Sequence, residues 1–111
     1  MKIQFQLIPY EQPNGDVLIN DFLVSLHPKH HAKVLRDMDL LRKYGLQLPT
    51  KFIKHLDGGI YELRSQFSNN IFRVCFFYFI GNKIILTHGF IKKTQKTPKE
   101  EILKAQKLRN E

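Results

Sequence analysis

The chain has 111 residues, enough for one small domain, and its 42% hydrophobic and 25% charged content is that of a globular protein. One cysteine, Cys75, excludes an internal disulfide and a cysteine-rich zinc site. Net charge is +8, and it is concentrated: Arg42 to Lys99 holds 11 basic residues against two acids, Asp57 and Glu62. Such a positive stretch suits a polyanionic partner such as RNA or DNA, although a generally basic surface without a partner gives the same count.

The start, Met1-Lys2-Ile3-Gln4-Phe5-Gln6-Leu7, alternates polar and apolar residues and reads as a half-buried strand. It has no continuous apolar stretch of signal-peptide length. No run approaches the roughly 18 apolar residues of a spanning helix, so a cytoplasmic protein without membrane contact is expected. Pro9, Pro13 and Asn14-Gly15 end the strand in a loop. A helix is predicted from about Asn20, its cap, towards Leu26. Pro28 opens a second. In it Val34, Leu35, Met38 and Leu41 recur at helical spacing, with Arg36, Asp37, Asp39 and Arg42 on the wet face. Gly45 is the predicted C-cap.

The segment from Leu46 to Gly59 carries Pro49 and Gly58-Gly59 and reads as irregular. Strands are predicted at Ile60–Phe67, Ile71–Ile80 and Lys83–Lys92, the last two joined by the two-residue turn signal Gly81-Asn82. Phe72 to Ile80 is apolar apart from Arg73, the pattern of a central strand covered on both faces. Thr97-Pro98-Lys99-Glu100 reads as a capping box opening a last helix to about Arg109. The order predicts one α+β domain over residues 1–111. An antiparallel meander is joined by the N-terminal strand, and a helical hairpin and a C-terminal helix lie on one face.

Strand alternation puts Tyr61, Leu63 and Ser65 towards the hairpin, and Glu62 and Arg64 on the opposite face. Arg73, inside an apolar run, is costly to bury alone. It either pairs with Glu62 as a structural bridge or points into a cleft for an anion, and position favours neither. Lys92, Lys93, Lys96 and Lys99 crowd the last strand's end, with the donors Thr94, Gln95 and Thr97 between them. A solvated lysine-rich loop is the alternative, which the meander disfavours because it can bring these lysines near Arg64 and Arg73. His88 is either an acid–base group near the cleft or a satisfied core histidine. His30 and His31 are adjacent on a helix and diverge, so no metal site and no cofactor are expected. Ser65 lacks the glycine elbow of a nucleophile, and Cys75 reads as core.

Three segments carry a family resemblance. Leu56-Asp57-Gly58-Gly59-Ile60-Tyr61-Glu62-Leu63-Arg64 is similar to L-x-G-G-(L/I)-Y-E-L-R, and Phe72-Arg73-Val74 resembles the (Y/F)-R-(V/I) strand that follows it. The block from Leu86 to Pro98 resembles L-x-H-G-F-x-K-K-T-Q-K-T-P. These are patterns of RelE/ParE superfamily toxins, in the phage-related, HigB-like branch, and the order of elements fits nearly the whole chain. The resemblance implies a RelE-like fold and the toxin of a type II toxin–antitoxin pair. RelE- and HigB-branch members cleave mRNA in the ribosomal A site without a metal, inhibiting translation, and are neutralised by a cognate antitoxin, helix-turn-helix in the HigB-like branch. The ParE branch inhibits DNA gyrase instead, and a non-catalytic RNA-binding module is a third reading.

For the nuclease, Arg73 matches the strand arginine that contacts the scissile phosphate in ribosome-dependent relatives. Arg64, Lys92 and Lys93 lie where relatives place further basic residues. Glu62 stands where those relatives carry lysine; it is either the general base or an orienting partner of Arg73. His88 is the weaker acid–base candidate. Lys54, Lys96 and Lys99 are the expected RNA and ribosome contacts. The antitoxin is expected on the helical hairpin, residues 20–44, with Phe22, Leu23 and Leu26 as anchors if the core does not need them.

Overall fold

The computed structural model describes residues 4–93 and 96–111. Its elements are β1 (Gln6–Pro9), α1 (Leu18–Ser25), α2 (Pro28–Tyr44), a 3₁₀ turn (Gly45–Gln47), β2 (Ile53–His55), β3 (Tyr61–Phe67), β4 (Asn70–Tyr78), β5 (Lys83–Lys92) and α3 (Lys99–Arg109). Five strands form one sheet in the order β1-β5-β4-β3-β2. The meander is antiparallel, while β1 joins β5 in parallel, Gln6 opposite Lys83 and Pro9 opposite Leu86, so the sheet is mixed. This is the α+β arrangement that the resemblance implied. Among the described residues no helix is long and apolar enough to cross a membrane.

Strand alternation divides the core. Leu63, Phe72, Val74, Phe76, Ile84 and Leu86 pack with Ile19, Leu23, Val34 and Leu41 of the hairpin. Cys75, Phe77 and Ile60 pack with Ala105 of α3. The helices therefore do not share a face: the hairpin covers one side of the sheet and α3 the other. An α3 placed with the hairpin would leave Cys75 and Phe77 to water, which the apolar run in β4 forbids. That run behaves as predicted up to Tyr78; Phe79 and Ile80 are exposed beyond the strand.

Several local expectations change. α1 begins at Leu18 behind Val17, not at Asn20. Pro28 does open α2, where His27 Nδ1 accepts the Lys29 amide at 3.2 Å. Leu35 is exposed rather than core, and Asp37 is buried rather than wet. Asp37 accepts the Ser65 hydroxyl at 2.6 Å and the Lys33 ammonium at 2.7 Å, pinning α2 to β3. Phe79 N donates to the Lys83 carbonyl, leaving Ile80-Gly81-Asn82 as a three-residue turn with Gly81 at φ 72°. The proposed capping box does not form: Pro98 is the N-cap of α3, without a side-chain cap. The irregular segment hides β2, whose Ile53, Lys54 and His55 pair with Leu63, Glu62 and Tyr61. Three residues are too few to show a period; the strand exists because β3 offers it a ladder.

Gly45 ends α2 at φ 56°, and a side chain there would meet the Phe5 ring. Gly89 matters more for the helices. A Cβ on it would enter the Phe22 ring, so α1 sits as close to β5 as a glycine permits. Gly89→Ala should therefore push α1 outward and destabilise the fold by about 1–3 kcal/mol, the usual range for overpacking, read as a lower urea midpoint with unchanged slope. An unchanged midpoint would mean that Phe22 is free to move.

Candidate active site

On the α3-side face, Lys54 of β2, Glu62 and Arg64 of β3, Arg73 of β4 and Lys92 of β5 lie in neighbouring register. Lys54 is opposite Glu62, Arg64 opposite Arg73, and Lys92 opposite Ile71, two residues from Arg73. The sheet brings together four of the basic residues singled out in the sequence. Two arginines directly opposite each other repel, and like charges so placed destabilise a sheet. Glu62 resolves this. It is fully buried, with Oε2 3.0 Å from Arg64 Nε and 3.4 Å from Arg73 Nε. Its other oxygen accepts the Thr97 hydroxyl. Thr97 thus serves the carboxylate, where a phosphate contact had been expected. It also ties the start of α3 to the cluster.

Of the two roles left open for Arg73, the geometry provides both. It forms the structural pair with Glu62, and it lines a cleft of about 550 Å³ that also touches Arg64, Lys51 and Phe52. Arg73 Nη1 donates to the Phe72 carbonyl at 3.0 Å, while its buried Nε has no hydrogen-bond partner among the described residues. Burial pushes the guanidinium below its usual value and Glu62 opposes this. Arginine nevertheless stays charged at physiological pH. Arg64 is held more loosely, by Glu62 and by the Thr50 carbonyl at 3.2 Å.

Lys92 is the least ordinary lysine. Only 7% exposed, it is held below the usual lysine value by burial first, with Arg73, Arg64 and Lys54 adding to the effect and Glu62 opposing it. Lys93, one residue on and just past the end of β5, is exposed. Lys54, Lys96 and Lys99 are exposed; Thr94 and Gln95 lie outside the described residues.

His88 does not join the cluster. It is 1% exposed, with Nε2 3.0 Å from Glu101 of α3, and its ring stacks on Phe90. Cys75 faces it across the ladder. The Thr87 hydroxyl lies 3.2 Å from Nδ1 and 3.1 Å from the Cys75 carbonyl. This is the satisfied core histidine, fastening α3 to the sheet. A shift in register between Cys75 and Phe76 accompanies it. Of the hairpin's proposed anchors, Leu23 is buried, and Phe22 and Leu26 pack on the core while staying partly exposed. Sequence reading missed Lys51 and Phe52 beside the cleft because β2 and the turn before it were invisible.

A family model, phage-derived protein Gp49-like (DUF891), matches residues 21–110, most of the chain and every residue of the cluster. No curated protein matches it.

Two stability measurements test this geometry. Glu62→Gln leaves two arginines facing each other without a carboxylate and should cost about 2 kcal/mol, reduced from a fully buried pair because Arg64 is partly solvated. Equal stability would show that the arginines are satisfied without Glu62. For His88, burial holds the ring below its unfolded value, with Glu101 opposing. The unfolded chain takes the proton first, so the stabilisation is full above about pH 6.5 and is lost as pH falls through the lower folded value. His88→Gln should flatten the decline in stability between about pH 7 and pH 5; an unchanged slope would place that titration elsewhere.

Proposed function

The chain belongs to the phage-derived Gp49-like family, a RelE-like family of toxins from toxin–antitoxin systems, and from that membership we propose that it is a ribosome-dependent mRNA endoribonuclease. A toxin of this family has an antitoxin as its partner. The observation that carries the nuclease reading is the carboxylate-anchored arginine pair beside a buried lysine on one face of the sheet. Cleaving RNA by its own 2′-hydroxyl requires three things. The hydroxyl must be activated, the crowded phosphate stabilised, and the departing 5′ oxygen protonated.

The arginines suit the second task. Glu62 holds them near each other through a hydrogen bond to Arg64 and an ion pair with Arg73, so little reorganisation is needed when phosphate charge develops. Lys92 suits the third, because an ammonium crowded by cations gives up its proton more readily than an exposed one. Glu62 is assigned a positioning role: it is fully buried and its oxygens are taken by Thr97, Arg64 and Arg73, which leaves a 2′-hydroxyl no approach. Lys54, Lys93, Lys96 and Lys99 flank the cluster as contacts to mRNA and ribosomal RNA, where counterion release favours binding. Positioning of the 2′-hydroxyl is left to the ribosome and its proton passes to solvent water as the 2′-O–P bond forms, so naked RNA should be cut poorly.

The test is to map mRNA 5′ ends after induced expression. Native protein should generate new ends in translated transcripts, with or without a chelator that leaves ribosomes intact. Folded Arg73→Ala should lose about 100- to 1,000-fold in cleavage, the range for removing one charge-stabilising donor. Lys92→Arg, which keeps charge but resists deprotonation, should lose activity as well. Persisting cleavage by Arg73→Ala would remove the site. Accumulated gyrase–DNA breaks without new RNA ends would replace the nuclease by a gyrase inhibitor.

A further inference from the structure

The sheet ends unevenly. β2 has three residues against seven in β3, and its ladder stops at Ile53 opposite Leu63. Beyond that, among the described residues, only the Arg64 amide is covered, donating to the Phe52 carbonyl at 2.6 Å. The rest of β3 is an open edge, and the cleft of about 550 Å³ runs along it. One wall is Lys51 and Phe52, from the turn that leads into β2; the other is Lys33 and Asp37 of α2. Arg64 and Arg73 line it from the sheet. Lys33 and Asp37 neutralise each other. The remaining charge is that of Lys51, Arg64 and Arg73. Lys51 is exposed, with its ammonium 5.5 Å from the centroid of the half-buried Phe52 ring.

We infer that this cleft seats one unstacked nucleotide of the RNA strand, adjoining the phosphate bound by Arg73, with its base against Phe52 and its phosphate on Lys51. The inference rests on the nuclease reading and adds a binding subsite to it. Its volume falls within the range of small-ligand sites. A groove that alternates cations with an aromatic ring is the common means of holding a single strand, since every base offers a face for stacking. A paired base is already stacked and has no face to give. An acidic peptide would use the same cations but has no need of the ring, which makes the ring the discriminating element.

The full chain is titrated with a fluorescent single-stranded RNA oligonucleotide and with the same sequence as a duplex. Phe52→Leu keeps an apolar side chain against the core. It should weaken single-strand binding about tenfold and leave duplex binding unchanged, and Phe52→Tyr should bind as the native chain does. Lys51→Ala, an exposed change that leaves the core alone, should reduce the salt slope for the single strand by about 0.7, one phosphate contact. Native affinity in Phe52→Leu, or equal losses for single strand and duplex, would overturn the subsite. A loss confined to Lys51→Ala would reassign the cleft to anions in general and overturn it too. In either case continued mRNA cleavage would leave the nuclease reading standing. A native chain that binds no single strand overturns the subsite, and if it also cuts no mRNA the nuclease reading falls with it.

Discussion

The Glu62 carboxylate is the constraint on which the rest of the site depends. Strand register sets Arg64 opposite Arg73, an unfavourable juxtaposition in any sheet. One buried acid between them offsets that repulsion, hydrogen-bonded to Arg64 and ion-paired with Arg73. The same carboxylate takes the Thr97 hydroxyl, so the residue before Pro98 and the start of α3 are referred to the arginines. An ion pair of this kind adds little net stability, because desolvation offsets attraction. Its value is geometric. It holds cationic charge in place, which is what the proposed stabilisation of a phosphate requires.

The two layers of the fold divide the work. The hairpin side holds the larger core, and its only buried acid among the described residues, Asp37, is used to fix α2 to β3 through Ser65. The α3 side is smaller and carries the polar groups. His88, Glu101 and Thr87 close one end over Cys75, and the Glu62 cluster opens the other. Placing α3 opposite the hairpin is thus what leaves the cationic end of this face accessible. The short β2 has a complementary effect. By ending early it exposes the edge of β3 and with it the cleft.

Much of this was legible in the sequence because it rests on period. Alternation in β3 separated Tyr61, Leu63 and Ser65 from Glu62 and Arg64, and the continuous apolar run marked β4 as central. Lys92 and Lys93 were expected on opposite faces for the same reason, and one is buried and the other exposed. What period does not encode was missed. β2 is too short to have one. Asp37 sits at a polar position of a helix and is buried only because Ser65 meets it. Thr97 has the spacing of a cap, yet a buried carboxylate competes for its hydroxyl and wins. For Arg73 the sequence posed bridge against cleft, whereas a long side chain beside a short acid does both. His88 shares the α3-side face with the cluster but is taken up by Glu101 of α3, a contact that no local pattern reveals.

In the proposed mechanism Glu62 acts through Arg73 and not on the substrate. A double-mutant cycle on mRNA cleavage in a translating extract tests this most directly, with Glu62→Gln and Arg73→Ala alone and together, each first shown to be folded. Strong non-additivity is expected: once Arg73 is gone, losing the Glu62 charge costs little further rate. Losses that multiply independently would make Glu62 a participant in its own right and contradict the positioning role.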